Sequence, residues 1–312
     1  MSGQNVPTWL TVVHPKALPI EPLPGALVVN KLFWKNVLRV IDTFVNEDEC
    51  MIGVGKPSEL ALEVLDRHSG NLAFYDAMDN FPAFFKGLSR ASMHSKEQKI
   101  VKRVSRISVS STRLTERFSD AREKVVIALN ACAVDSLPPI PATPEGPEVS
   151  EKPVFGYVGM ISHWFDWDLV IAIADSNPEI VVRLIGPAHV LPSARLPENI
   201  EMHPPCDHAT AIRAMQEFSV GLIPFKKNEL TEFVDPIKFY EYRALGLPVI
   251  STDFGEMSLR GNLSGVFLVD NGSKLSMLPK IVTAWECRVD EVASFRAENS
   301  WGYRFDSAGI LP

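Results

Sequence analysis

Cysteine is scarce: 4 residues in 312, at positions 50, 132, 206 and 287, with no CxxC pair. That spacing suggests neither a zinc site nor a disulfide framework, and a reducing cytoplasm is its simplest setting. No run of about 18 apolar residues occurs, so no transmembrane helix is expected. Residues 1–7 lack a basic segment followed by an apolar core, so no signal peptide is expected. Positive charge is in deficit. The net charge is −7, which argues against nucleic acid as a main partner. There is no internal repeat of solenoid type. What remains is 46% hydrophobic and 22% charged residues over 312 positions, the composition of a globular protein and the length of two domains.

The stretch Phe233 to Thr252 organises the rest. Asp235 suits a helix N-cap and Pro236 the first helical position. Gly246 suits the left-handed end of the helix, and Pro248 to Thr252 reads as a short buried strand. Ile237, Tyr240, Ala244 and Leu245 share one face at helical spacing. Glu241 lies on that face too, and a buried carboxylate is costly unless something donates to it. The amides of Ile237 and Lys238 at the helix tip form a natural anion seat. Together these suit a ligand with both hydroxyls and phosphates, such as a nucleotide-sugar. The plainer alternative is a capped helix whose Glu241 pairs with a core cation or a backbone N–H.

In the first half, strands are expected at Trp9–Val13, Met51–Gly55 and Leu72–Tyr75, and helices at Asn30–Phe44 and Pro57–Arg67. This alternation predicts a parallel sheet covered by helices. Beyond Tyr75 stand Asp76 and Asp79. Ligands of open α/β sheets sit past the carboxyl ends of strands, and a carboxylate there can serve as a general base. Asp79 is the first candidate and Asp76 the second, with turn capping as the alternative for both. Ser95 to Arg106 reads as a basic helix whose lysines and arginines form a solvated face, or a weak contact with anionic lipid. The strand Ile107–Ser111, a helix Thr112–Phe118 and the strand Val125–Asn130 complete this half. Residues 137–153 hold prolines at 138, 139, 141, 144, 147 and 153 and read as a stiff interdomain linker.

In the second half, Val154–Gly159 is a strand ending in glycine, ahead of a helix from Asp166. Ser162 and His163 lie between them as possible phosphate contacts. Arg183 sits inside the strand Val181–Gly186 and either points out of the sheet or pairs with a carboxylate. His203 closes the strand Ile200–His203 before the break at Pro204-Pro205. Asp207 caps a further helix, and Val220–Phe225 is a buried strand. Gly265–Asp270 is the last strand.

Ala244-Leu-Gly-Leu-Pro-Val-Ile-Ser-Thr252, with Pro236, Lys238, Glu241 and Tyr242 before it, resembles the signature helix and strand of GT-B glycosyltransferases of the family-4-like group, polysaccharide-biosynthesis type. Tyr75-Asp-Ala-Met-Asp79, Gly221-Leu-Ile-Pro-Phe225 and Asn299-Ser-Trp301 also resemble that group. Where the group carries another Glu, eight residues before Glu241, this chain has Phe233. The resemblance implies an α/β architecture of two Rossmann-like domains facing a cleft, with residues 1–136 on the acceptor side and 154–312 holding the donor. No Gly-rich turn precedes Trp9, so the family's first strand–helix units are expected to be missing and the N-terminal domain incomplete, either because the chain is a short version or because its start lies upstream.

The implied activity is metal-independent transfer of a sugar from a nucleotide-sugar to a cell-surface glycan or lipid-linked saccharide. The alternatives are a nucleotide-sugar-binding protein without turnover and a GT-B sugar-nucleotide epimerase. Gly159, Ser162, His163, Arg183, His203, Asp235, Ile237, Lys238 and Glu241 are the implied donor-side residues. No cofactor or metal is implied beyond the nucleotide-sugar co-substrate. The implied location is cytoplasmic, at the inner face of the membrane if the basic helix meets lipid.

Overall fold

A computed structural model describes residues 10–140 and 152–310, apart from positions 17, 19, 21–22, 24–28, 48, 193–194 and 271. Most of the Pro-rich linker therefore lies outside the described residues, as does Trp9. The chain divides into two compact units, one of Met1–Ser108 with Asp120–Val126, the other of Val109–Ser119 with Ile127–Pro312.

In the first unit, residues 10–13 are not a strand. Helix α1 runs Lys35–Glu47, after a short 3-10 turn at Lys31–Phe33. Trp34, Val37, Leu38 and Val64 form a small core, while Leu32 and Val40 are 79% and 47% exposed. Strand β1 (Met51–Val54) pairs in parallel with β2 (Leu72–Ala77). Between them, α2 (Glu59–Arg67) starts at Ser58, whose side chain accepts from the Ala61 N–H. Helix α3 (Gly87–Arg103) follows, then β3 (Arg106–Val109) and β4 (Val125–Ile127), and the sheet order is β1-β2-β3-β4.

The basic helix differs from expectation. Lys96 is 1% exposed, with its ammonium 3.7 Å from Glu59, and the neighbouring Glu97 accepts from the Tyr75 hydroxyl at 3.0 Å. The helix thus turns Lys96 and Glu97 inward and keeps Arg90, Lys99, Lys102 and Arg103 outside. A buried charge must be answered by partners, and Glu59 stands on the preceding helix.

The second unit is built on a six-stranded parallel sheet, with β5 (Val154–Val158), β6 (Val181–Ile185), β7 (Ile200–His203), β8 (Val220–Ile223), β9 (Val249–Thr252) and β10 (Val266–Val269). The order is β10-β9-β8-β5-β6-β7. The chain winds outward from β5 through β6 and β7, then returns to lay β8 on the other side of β5. In such sheets this reversal is where ligands bind, past the carboxyl ends of the two strands.

One face carries Phe155, Tyr157, Val182, Leu184, Val220 and Leu222 against α4 (Trp167–Ser176). The other packs against α5 (His208–Gln216) and α6 (Ile237–Ala244). The two-residue alternation of strand side chains produces both faces.

Gly221 decides how closely α6 approaches. A Cβ there would lie 2.2 Å from the ring of Tyr242. The missing side chain lets that ring lie on β8, where its hydroxyl accepts the Val158 N–H at 3.1 Å. Helix α6 is thereby fixed over the sheet reversal. Gly221→Ala is expected to push the ring off the strand and destabilise the fold by about 1–3 kcal/mol, checked by thermal unfolding.

Candidate functional site

The loops after β5 and β8 are joined. The Asp166 N–H donates to Pro224 O and the Lys226 N–H to Trp164 O, each at 2.7 Å. Gly159 ends β5 and Gly186 ends β6. A Cβ on Gly186 would lie 2.1 Å from the Gly159 carbonyl, and its φ of 142° is one that L-residues rarely adopt. Only glycine permits this approach. Between β5 and α4, Ser162 is buried and His163 exposed, while Asp166 caps α4 by accepting the Leu169 N–H at 3.1 Å.

After β8 a loop leads to α6. Here the expected cap is corrected. Pro236 occupies the N-cap position and α6 begins at Ile237. The Asp235 side chain turns into the protein, with Oδ1 2.8 Å from the Arg260 guanidinium. Its Oδ2 accepts from the Tyr240 hydroxyl at 2.7 Å and from the Asn130 N–H at 2.9 Å. Arg260 also lies over the Phe239 ring, 4.0 Å from its centroid. Burial pushes the Asp235 carboxyl upward against the pull of Arg260. This network holds the approach to α6.

At the tip, Ile237 is 45% exposed. Glu241, one turn on, is 7% exposed. One of its oxygens takes the Lys238 ammonium, and the other lies 3.3 Å from His208 Nε2. Lys238 and Glu241, expected to meet different parts of a ligand, meet each other. Their partner His208 was not singled out by sequence. It is the first residue of α5, behind the Asp207 cap that accepts the Thr210 N–H at 2.8 Å. The signal that could have found it is a polar first turn on the helix leading into β8. Both partners reach water, His208 being 52% and Lys238 24% exposed at the side chain. The carboxylate therefore lies under a surface rim made by the Lys238 ammonium and the His208 ring.

Two expected residues fall elsewhere. Arg183 is the middle residue of β6, not at its carboxyl end, and its guanidinium is held by Glu201 at 3.1 Å and Glu217 at 2.6 Å. Of the two readings of Arg183, carboxylate pairing is the one found. His203 ends the edge strand β7, exposed, 3.3 Å from Glu201. A cavity of about 210 Å³ opens past β9 and β10, lined by Asp166, Leu169, Lys227, Thr252, Val269 and Asp270. It is not at Glu241.

In the first unit, Asp76 lies inside β2, not beyond it. Burial raises its carboxyl, and a hydrogen bond with Ser108 opposes the rise. Asp79 stands two residues past the strand, and burial pushes it up to about 6. That value suits a base working near neutral pH.

Among the described residues, no group of three or more His, Cys, Asp or Glu could hold a metal ion, and no helix is long and apolar enough to cross a membrane.

No family model matches the chain. It is 25% identical over 235 residues to TuaH of Bacillus subtilis (strain 168), assigned as a glycosyltransferase of teichuronic acid biosynthesis. That match takes in 68% of this chain and 58% of the relative, so the chain spans less than two thirds of its length. Among solved structures, sucrose-phosphate synthase from Thermosynechococcus elongatus superposes with a TM-score of 0.69 at 13% identity, over 95% of this chain and 81% of that one. HepE of Anabaena, in complex with UDP, superposes with a TM-score of 0.62 at 16% identity, over 90% and 82%. The fold is GT-B, as the signature stretch implied: α/β, with two Rossmann-like domains. The resemblance to glycosyltransferases holds for the sequence relative and for the structural neighbours.

Proposed function

We propose that this chain is a nucleotide-sugar-dependent glycosyltransferase of polysaccharide assembly. One observation carries the reading: a nearly buried glutamate, Glu241, under the cationic tip of a helix that Tyr242 pins over the reversal of a parallel sheet. The carboxylate would accept from the ribose hydroxyls, sharing or displacing the half-exposed His208. The freed Lys238 ammonium and the amides of Ile237 and Lys238 would meet the diphosphate. Charge that develops on the leaving group gains most from groups fixed in advance.

A uridine nucleotide is the donor we favour, because HepE has been solved with UDP and with UDP-glucose. A cell-surface or lipid-linked saccharide is the acceptor we favour, because the sequence relative is assigned to teichuronic acid biosynthesis. In the reaction, the acceptor oxygen bonds to the anomeric carbon while the bond from that carbon to the diphosphate breaks. The electron pair leaves with the nucleoside diphosphate, and the acceptor proton passes to Asp79. Lys238 and the α6 tip would supply the positive charge without a metal or other cofactor. The cytoplasm, at the inner membrane face, is where we place the activity.

UDP should raise the melting temperature by mass action, since it binds only the folded chain. Glu241→Ala should weaken UDP by at least about tenfold and erase the shift at concentrations near the wild-type Kd. A full shift in that variant would refute the ribose role.

A further inference from the structure

Among the described residues, buried polar groups are, with few exceptions, answered. Glu97 takes the Tyr75 hydroxyl, and Glu256 takes the Thr112 N–H and hydroxyl, each of those at 2.9 Å. Asn177, with an orphan Oδ1 of its own, is held through its amide nitrogen by the carbonyls of Ile173 and Leu275. Asn80 departs from the pattern. It is 3% exposed, and its Oδ1 has no hydrogen-bond partner. Asn at this place ordinarily caps the helical turn that follows. Here it precedes the 3-10 turn Phe81–Phe84 and makes no side-chain cap bond. A buried amide oxygen left unsatisfied carries its full desolvation penalty, and such a group calls for an explanation.

Its chain neighbour is Asp79. Burial alone accounts for the raised carboxyl there, with no hydrogen bond or cation contributing. Two consecutive residues past the end of β2 thus hold oxygen acceptors without a donor, Asn80 buried and Asp79 half-buried. A ligand that completes them must bring hydrogen-bond donors, which a saccharide supplies as hydroxyls.

We propose that Asn80 is an acceptor-positioning residue, and that the acceptor saccharide is recognised through two neighbouring hydroxyls, one donating to Asn80 Oδ1 while the other gives its proton to Asp79. The inference rests on the glycosyltransferase reading, and it adds the hydroxyl pattern of the acceptor. It also makes Asn80 a residue that the fold would be better without. Active-site groups of this kind trade stability for function.

The test is Asn80→Leu, which removes the amide at nearly constant volume. Three quantities are measured: melting temperature, UDP-induced shift, and transfer from UDP-glucose to octyl glycosides, including analogues with each hydroxyl in turn replaced by hydrogen. The variant should melt at the wild-type temperature or above and keep its UDP shift. Its acceptor KM should rise about tenfold. In the wild type, loss of either of two adjacent hydroxyls should depress transfer. In Asn80→Leu, one of the two should cease to matter. Melting several degrees below wild type would mean that the amide is held by the fold, and the inference falls. So it does if acceptor KM is unchanged, or if the wild type hydrolyses donor yet uses no glycoside through a diol. Absence of any UDP shift in the wild type strikes the glycosyltransferase reading instead, while the melting result still decides whether Asn80 serves the fold.

Discussion

Asp79→Asn should lower sugar transfer by about 10²- to 10⁴-fold while the UDP-induced shift stays at its wild-type size. The amide keeps the shape of the carboxyl but cannot take a proton. The pH profile separates this from a packing defect. Burial sets the Asp79 carboxyl at about 6, and only the ionised form is a base. Wild-type transfer should therefore climb as pH rises through about 6, and the residual activity of the variant should lack that limb. Stability should move the opposite way. In the unfolded chain this carboxyl ionises near its ordinary value of 3.8, below its folded value. The folded state thus binds the proton more tightly, and its advantage is complete below pH 3.8. It is lost as pH rises through about 6, by roughly 3 kcal/mol. Asn pays no such ionisation cost, so above pH 6 the variant should melt higher than the wild type. Activity down and stability up, in one protein at one pH, marks a functional carboxyl. A variant that loses both would place Asp79 in the fold.

The elements of the sheets were legible because glycine and proline punctuate them. Val154–Val158 before Gly159, and Val181–Ile185 before Gly186, were bounded by the residues that end them. The α5 cap at Asp207 was legible because a cap is a local bond. What sequence could not give was the identity of distant partners. Lys96 looked like one member of a solvated basic row, because Glu59 lies on another helix. Asp235 looked like a cap because it precedes Pro236, whereas Arg260 competes for it from a later segment. Asn130 and Thr112 belong to the second compact unit through bonds to Asp235 and Glu256, although the Pro-rich stretch beyond them seemed the natural divide. In the site, the inward carboxylate at Glu241 was readable from helical spacing. That His208 lies against it was not, since spacing gives the face and not the neighbour across it, whereas Lys238, three residues back on the same helix, was within reach of spacing alone.

The Asp235 network gives the second large effect. Asp235→Ala should destabilise the protein by about 3–5 kcal/mol, because it strands the Arg260 charge. Arg260 is 7% exposed, stacked on Phe239 and donating to the Tyr240 hydroxyl at 2.7 Å. It cannot reach water without giving up that stack. The Asn130 N–H loses its acceptor as well. The melting temperature should fall by roughly 6–20 °C. Adding Arg260→Met should restore part of the loss, since removing both charges leaves none to bury, whereas two independent losses would add. The outcome also decides what Asp235 is for. If it anchors the approach to α6, Asp235→Ala lowers stability, and UDP affinity falls only as far as the helix tip loosens. If it meets the donor directly, as the sequence alone suggested, UDP affinity collapses at an unchanged melting temperature. A carboxylate with three partners inside the protein and a side chain wholly removed from water favours the first.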